Sequence, residues 1–216
     1  MDIMRDTNME ASIRSSMREA MDRRGGGRTP GPHLSTLVSY IAARMQLIRV
    51  TGGADSDAMM ERMLMGYVWE DMVGQQLNHI ISPHIGQFEI LQDGIFATPD
   101  AYTPGGEIGE FKATWISNSN DITGERFWRY WAQIKAYCRM TGTNTARLYV
   151  MFVNSDYKPP APGIAVYRAR FSNEELDANW KLMTGQMQQL VTAFGDNWWK
   201  YDIQYLLRGG SQHDQQ

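Results

Sequence analysis

A short stretch of the sequence brings together three side chains that can perform chemistry jointly. Asp100 ends one extended segment, Glu110 and Lys112 lie on the next, and a turn rich in Gly and Pro separates them. If the stretch folds as a hairpin, Asp100 lies beside Glu110, and Lys112 shares the strand face of Glu110 because residues two apart point the same way. Two carboxylates and an amine at one strand end suit a divalent-metal site that activates water.

A further carboxylate, Glu70, lies on a helix predicted over about residues 56–79. It shares a mostly apolar face with Gly66, Tyr67 and Gly74, and an unpaired carboxylate buried there would be costly. The glycines one turn before and after it leave room for another backbone or a ligand. Two interpretations stay open: a glutamate at the helix edge that pairs with an arginine, or a member of the same site as Asp100.

An aromatic helix is predicted over residues 126–141, with two distinct stripes. One stripe is apolar and is expected to pack on a sheet: Phe127, Trp131, Ile134 and Cys138. The other consists of Arg126, Tyr130, Gln133 and Tyr137, in which Gln133 and Tyr137 are neighbours at the i, i+4 spacing. This second stripe is either a partly exposed amphipathic edge or a row of donors and rings that holds phosphates and bases.

The remaining pattern predicts an α/β fold with a central mixed sheet flanked by helices. A helix is expected over 33–50, a hairpin at 87–98 around the Asp93-Gly94 turn, and strands at 106–113, 145–153 and 164–171. Ser172 with Glu175 predicts a capping box for a closing helix through about residue 194. The aromatic residues that follow, Trp198, Trp199, Tyr201 and Tyr205, are expected to pack on the domain rather than stack on bases. Domain boundaries are placed at 33–208, with a helical or flexible arm over 1–32 and a flexible tail over 209–216.

Composition narrows the function classes. The net charge of −3 argues against a protein that coats nucleic acid, because such proteins are basic overall. It does not exclude an enzyme that acts on nucleic acid, because the charge near the active site determines binding there. Cys138 is the single cysteine, which excludes an intrachain disulfide and any four-cysteine zinc or iron–sulfur site. The four histidines lack metal-ligand spacing, no apolar run reaches membrane-spanning length, and the N-terminus does not resemble a signal peptide. The expected location is the cytoplasm, without a membrane partner.

Four short motifs carry a resemblance to a known family. The sequence reads GYVWE at 66–70, PD at 99–100, EFK at 110–112 and QIKAY at 133–137. In this order, with the predicted helix–strand–strand–strand–helix–strand succession, they resemble the PD-(D/E)xK nuclease superfamily. The first and last motifs are similar to the GxxxE and QxxxY motifs of its RecB-like branch, which includes phage-type exonucleases.

The resemblance implies a restriction-endonuclease-like core and a role for each matching residue. The expected metal ligands are Glu70, Asp100, Glu110 and the carbonyl of Phe111, holding Mg²⁺ or Mn²⁺ in a one-metal or two-metal site. The expected catalytic residues are Asp100, Glu110, Lys112, Gln133 and Tyr137. Residues expected to contact DNA are Arg126, Arg129, Tyr130 and Lys135. The single cysteine excludes the iron–sulfur cluster that some members of the branch carry.

The implied function is a metal-dependent DNA exonuclease that hydrolyses phosphodiester bonds from DNA ends. A phage or mobile-element setting in recombination or replication is expected, in a bacterial or phage-infected host cell. A recombination or annealing protein and further copies of the chain are candidate partners beside DNA. Two alternatives remain open: an endonuclease on the same core, and a catalytically silent module that binds DNA or a partner.

Overall fold

A four-stranded mixed sheet lies at the centre of the protein. The computed structural model describes residues 29–48, 57–80, 88–103, 105–156 and 162–209, together with Ser15 and Glu19. Most of the predicted arm over 1–32, and the predicted tail beyond Gly209, lie outside the described residues, so those domain boundaries stay predictions.

The helices and strands follow one another in the predicted order. They are α1 (Leu34–Arg44), α2 (Asp57–Ile80), β1 (Ile90–Gln92), β2 (Ile95–Ala97), β3 (Ala101–Tyr102), β4 (Glu107–Thr114), α3 (Trp128–Thr141), β5 (Thr145–Phe152), β6 (Gly163–Arg170), α4 (Asn173–Phe194) and α5 (Ile203–Leu207). Two 3₁₀ turns, Glu125–Phe127 and Trp198–Lys200, precede α3 and α5. The sheet order is β3-β4-β5-β6, in which β4 and β5 are parallel and the outer pairs antiparallel. The predicted mixed α/β fold is confirmed.

Helix α1 is shorter than predicted. It ends at Arg44, where Gln46 adopts a left-handed conformation with a φ of 59°. The N–H of Leu47 donates to the carbonyl of Ala42 at 2.9 Å, and that of Gln46 to Ala43 at 3.0 Å. These two bonds form a Schellman motif, which ends a helix although apolar residues continue beyond it.

The small hairpin β1–β2 forms around the predicted two-residue turn. Asp93 and Gly94 have φ values of 50° and 78°, the left-handed pair that a tight hairpin turn requires. The side chain of Asp93 accepts a hydrogen bond from Trp180 Nε1 at 2.9 Å, which ties the hairpin to α4. Residue 87, where the hairpin was predicted to begin, lies outside the described residues.

The two parallel strands are joined by α3, as a crossover between parallel neighbours requires. The predicted start of this helix at Arg126 was wrong, because residues 125–127 form a 3₁₀ turn and α3 begins at Trp128. Gly142, with a φ of 71°, ends the helix in the left-handed conformation. The inward stripe packs as predicted, since Phe127, Ile134 and Cys138 are fully buried.

Helices cover the two faces of the sheet unequally. On one face α1, α3 and α4 enclose the main core, whose buried members include Leu37, Ile134 and Leu148. On the other, α2 packs Trp69 and Val73 against Phe111, Ala101 and Tyr149. The indole Nε1 of Trp69 donates to the carbonyl of Tyr149 at 3.3 Å, which fixes α2 on the sheet.

The C-terminal part closes the main core. Ser172 and Glu175 form the predicted capping box at the start of α4. Trp198 is completely buried, as the packing prediction requires, whereas Tyr201 stacks on Tyr205 at 4.8 Å and stays partly exposed. In the described part of the chain, no helix has the length and apolar character needed to cross a bilayer.

Candidate active site

The hairpin between β3 and β4 fixes the two carboxylates side by side. Ala101 pairs with Gly109 in the antiparallel register, so the next residues outward, Asp100 and Glu110, are opposite each other. Oδ2 of Asp100 accepts a hydrogen bond from the backbone N–H of Phe111 at 2.7 Å. This bond holds Asp100 at the strand end, although β3 is only two residues long.

Glu110 is a buried carboxyl group whose two oxygens differ in their contacts. Its exposed fraction is 1%, and Oε1 forms an ion pair with Nζ of Lys112. Oε2 has no hydrogen-bond partner among the residues that the structure describes. Burial, together with the neighbouring Asp100 carboxylate, raises the pKa of Glu110 from 4.5 to about 8.

Lys112 stays charged in this environment. Burial alone would lower the pKa of its ammonium group, but the charges of Glu110 and Asp100 outweigh that effect and raise it. The side chain is 22% exposed, so its tip reaches the open space beside the two carboxylates. Without a metal, Lys112 is therefore a hydrogen-bond donor and positive charge rather than a base.

The donor set fits a hard divalent cation. Asp100 and Glu110 are neighbours across the strand pair, and a cation bound to both carboxylates would compensate their charges and favour loss of the proton that Glu110 keeps at neutral pH. Glu70 lines the same cleft from α2. In the described part of the chain, however, no three His, Cys, Asp or Glu side chains are close enough to form a ready-made metal cluster. Glu70 therefore lines the cleft without forming a three-carboxylate cluster with Asp100 and Glu110.

The glutamine and tyrosine of α3 form a brace behind this pair. The side-chain amide of Gln133 donates to the Tyr137 hydroxyl, which in turn donates to the backbone carbonyl of Thr98 at 3.2 Å. Thr98 precedes Asp100 by two residues. The brace therefore fixes the segment that delivers Asp100, a function that the i, i+4 spacing alone did not reveal.

Replacing Tyr137 by phenylalanine removes the hydroxyl from this brace. We expect the free energy of unfolding to fall by about 1 kcal/mol, since the Thr98 carbonyl and the Gln133 amide each lose a partner. Chemical denaturation monitored by tryptophan fluorescence would measure the change. Tyr205→Phe is the matched control, because the Tyr205 ring stacks on Tyr201 near the surface. An equal effect of both substitutions would show that the brace contributes nothing specific.

These residues surround one open cleft of about 670 Å³, here called the Asp100 cleft. The predicted residues that line it are Glu70, Asp100, Glu110, Lys112, Arg129, Tyr130, Gln133 and Tyr137. Arg129 lies over the ring of Tyr130 at 5.6 Å, so the two form one unit on the α3 wall.

The predicted ligand atom of Phe111 is its backbone carbonyl, which lies on β4 next to Glu110, while the ring packs on the opposite sheet face against Tyr149. Two other predicted residues, Lys135 and Arg126, do not line the cleft. Lys135 points towards α4, where Nζ lies 3.4 Å from a carboxylate oxygen of Glu175. Arg126 lies in the 3₁₀ turn before α3 and does not line the cleft. Helical geometry explains the case of Lys135, since it follows Gln133 by two residues and so faces away from it.

Another wall of the cleft was not predicted from the sequence. It is built by the start of α1 and by the β1–β2 hairpin, and its members include His33, Ser35, Ser39 and Phe96. An isolated bridge joins His33 to Phe96, whose rings lie 5.6 Å apart. The sequence indicated this wall only through the helix start predicted at His33. It did not indicate that the β1–β2 hairpin packs against that helix start.

No family model matches the sequence, and no curated protein matches it significantly. Solved structures do resemble it. An alkaline exonuclease (LHK-Exo) from Laribacter hongkongensis has a TM-score of 0.51 at 16% identity, covering 82% of this chain and 92% of its own. A protein known as SSO0001 has a TM-score of 0.51 at 10% identity, covering 82% of this chain and 86% of its own. These similarities show that the chain shares its mixed α/β fold with both proteins.

Proposed function

We propose that this chain, whose motifs resemble those of PD-(D/E)xK nucleases, is a metal-dependent deoxyribonuclease that degrades DNA from its ends. The observation that carries the proposal is the buried Asp100–Glu110 pair beside Lys112 in an open cleft. Burial of Glu110 beside Asp100 makes its ionised form costly in the metal-free protein. Buried ionisable groups with strongly shifted pKa values are found most often at functional sites.

Phosphodiester hydrolysis is slow for two reasons: water is a weak nucleophile, and negative charge builds up on the leaving oxygen. Bound Mg²⁺ or Mn²⁺ would lower the pKa of a water molecule and neutralise charge on the phosphate. Asp100 and Glu110 would hold the cation, with Glu70 and the Phe111 carbonyl as further ligands.

Lys112 would act as a donor at the reacting phosphate. Its raised pKa keeps the ammonium group charged, so it can orient the attacking water or stabilise the charge on the phosphate. Both are electrostatic roles, and neither requires Lys112 to lose a proton. Gln133 and Tyr137 would keep Asp100 in position through Thr98.

The α3 wall offers contacts for the substrate. Arg129 and Tyr130 present a guanidinium and an aromatic ring to the Asp100 cleft, a combination that suits a phosphate and an adjacent base. Arg126 and Lys135 lie outside the cleft, so any contact they make to DNA would be with a strand extending beyond it. The protein stays acidic overall, and attraction to DNA would depend on this local positive wall and on the bound cation.

Action from DNA ends is the finer part of the proposal. It is supported by the QIKAY motif and by the similarity to LHK-Exo, an alkaline exonuclease. We further propose that the protein acts in the cytoplasm of a bacterial or phage-infected cell. Its proposed partners beside DNA are a recombination or annealing protein and further copies of this chain.

The test compares linear duplex DNA labelled at its ends with a covalently closed circle of the same sequence. With Mg²⁺ or Mn²⁺, we expect the linear DNA alone to be degraded, and chelator to stop the reaction. Cutting of the circle would instead show an endonuclease. Binding of DNA without cutting of either substrate under any metal condition would show a silent module and overturn the proposal.

A further inference from the structure

A second cleft, of about 780 Å³, lies at the end of the sheet where β4 and β5 begin. We call it the arginine cleft, after Arg139, Arg168 and Arg170, which line it. It shares no lining residue with the Asp100 cleft. Glu107, at this end of β4, is three residues from Glu110, a separation of about 10 Å along a strand.

The arginines of this cleft are only partly neutralised. Arg139 contacts Asp177 through Nε at 2.7 Å, and Arg168 contacts Glu107 through Nε at 2.8 Å. These contacts use one nitrogen of each guanidinium and leave the terminal amino groups able to donate to a ligand. Arg170 is exposed and has no ion pair or side-chain hydrogen bond to any residue that the structure describes.

The local charge is opposite to that of the whole chain. Glu107 is also contacted by Arg147, at 2.9 Å, so four arginines and two carboxylates meet in or directly behind the cleft. The resulting charge is positive, whereas the chain carries −3 overall. A positive concave surface on an acidic protein attracts anions selectively to that place.

Neutral donors complete the cleft. Asn144 and Asn173 also line it, and each carries a side-chain amide. Guanidinium groups with neighbouring side-chain amide donors match the oxygens of a phosphate group, which accept several hydrogen bonds at once. Carboxylate ligands would use fewer of these donors.

We propose that the arginine cleft binds a phosphate group, carried either by a free nucleotide or by a nucleic-acid strand. This binding needs neither a metal nor the residues of the Asp100 cleft, so it does not depend on the proposed nuclease activity. If the ligand is a strand, the protein has a second point of attachment for DNA, remote from the carboxylate pair. If it is a nucleotide, the cleft is a separate binding site for a small molecule.

The experiment titrates the ¹⁵N-labelled protein, in chelator, with inorganic phosphate, thymidine monophosphate and an oligothymidylate of about twelve nucleotides. Backbone amide signals of Gly106, Gly142 and Asn144 report on the arginine cleft, and that of Ala113 reports separately on the Asp100 cleft. The variant is Arg170→Gln. The matched control is Arg208→Gln, which removes an exposed arginine at the end of α5.

We expect saturable shifts of the Gly106, Gly142 and Asn144 signals, weakened roughly tenfold or more by Arg170→Gln and unchanged by Arg208→Gln. An oligonucleotide that binds at least ten times more tightly than the mononucleotide would identify a strand as the ligand. Equal affinities would identify a free nucleotide. The proposal is overturned if these signals show no saturable shift with any ligand, if only Ala113 responds, or if both substitutions weaken binding equally.

Discussion

Replacing Glu110 by glutamine is expected to abolish DNA cleavage and at the same time to stabilise the metal-free protein. The substitution keeps the shape of the side chain but removes a charge that would hold the cation. A loss of about a thousandfold or more in the cleavage rate follows, because a bound cation contributes several kcal/mol to transition-state stabilisation. Initial rates on end-labelled linear DNA with saturating Mg²⁺ would measure it, with Glu125→Gln, at an exposed position, as the control.

The stability effect has a definite dependence on pH. The folded protein keeps a proton on Glu110 up to a pKa of about 8, whereas the unfolded chain releases it near 4.5. The proton on Glu110 therefore stabilises the folded wild-type protein most below pH 4.5. This contribution to the free energy of unfolding falls as the pH rises from 4.5 towards 8, by up to about 1.4 kcal/mol per pH unit, and it is lost above pH 8.

Glu110→Gln should remove this slope, so the variant gains stability relative to wild type as the pH rises. Denaturant unfolding in chelator between pH 5 and pH 8.5 would measure both proteins, and Mg²⁺ should restore wild-type stability at the upper end. Parallel pH profiles of the two proteins, or cleavage by the variant near the wild-type rate, would contradict the assignment of Glu110.

Replacing Lys112 by alanine is expected to eliminate turnover while metal and DNA binding persist. Lys112 donates charge at the reacting phosphate in our proposal, so its loss should lower kcat by roughly a hundredfold to a thousandfold, with little change in KM. Calorimetric titration with Mn²⁺ and a DNA-binding assay in Ca²⁺ would test the retained functions.

Lys112→Met is the companion variant, since it keeps most of the aliphatic stem without the charge. Equal loss of turnover in both variants would assign the effect to the charge rather than to packing. Loss of DNA binding in both would identify Lys112 as an anchor for the phosphate instead. Full turnover in either would remove Lys112 from the mechanism.

The arrangement of Asp100, Glu110 and Lys112 could be predicted because its determinants are local. A turn rich in glycine sets the hairpin, and the two-residue period of a strand places Glu110 and Lys112 on one face. The helix limits were predicted less well, because α1 ends in a Schellman motif at Gln46 and a 3₁₀ turn replaces the first turn expected for α3.

The rest of the cleft depends on contacts between residues far apart in the chain. The bridge of His33 to Phe96 and the bond of Tyr137 to Thr98 leave no periodic pattern in the sequence. Lys135 is a different case, because helix geometry alone separates it from Gln133, and its pairing with Glu175 follows from where α4 packs. The roles assigned to the residues of the cleft stay predictions until the substitutions are measured.

Strand β4 presents a different chemical surface on each side, with Glu110 and Lys112 towards the Asp100 cleft and Phe111 towards α2. Inserting or deleting a single residue between Gly106 and Glu110 would exchange the two sides, burying the charges under Trp69 and placing the phenyl ring where the cation is expected. Changes of chain length in this part of the protein can therefore be tolerated only in pairs of residues or within the preceding turn. In natural variants, we expect insertions and deletions to be found outside β4 and the spacing from Glu110 to Lys112 to stay constant.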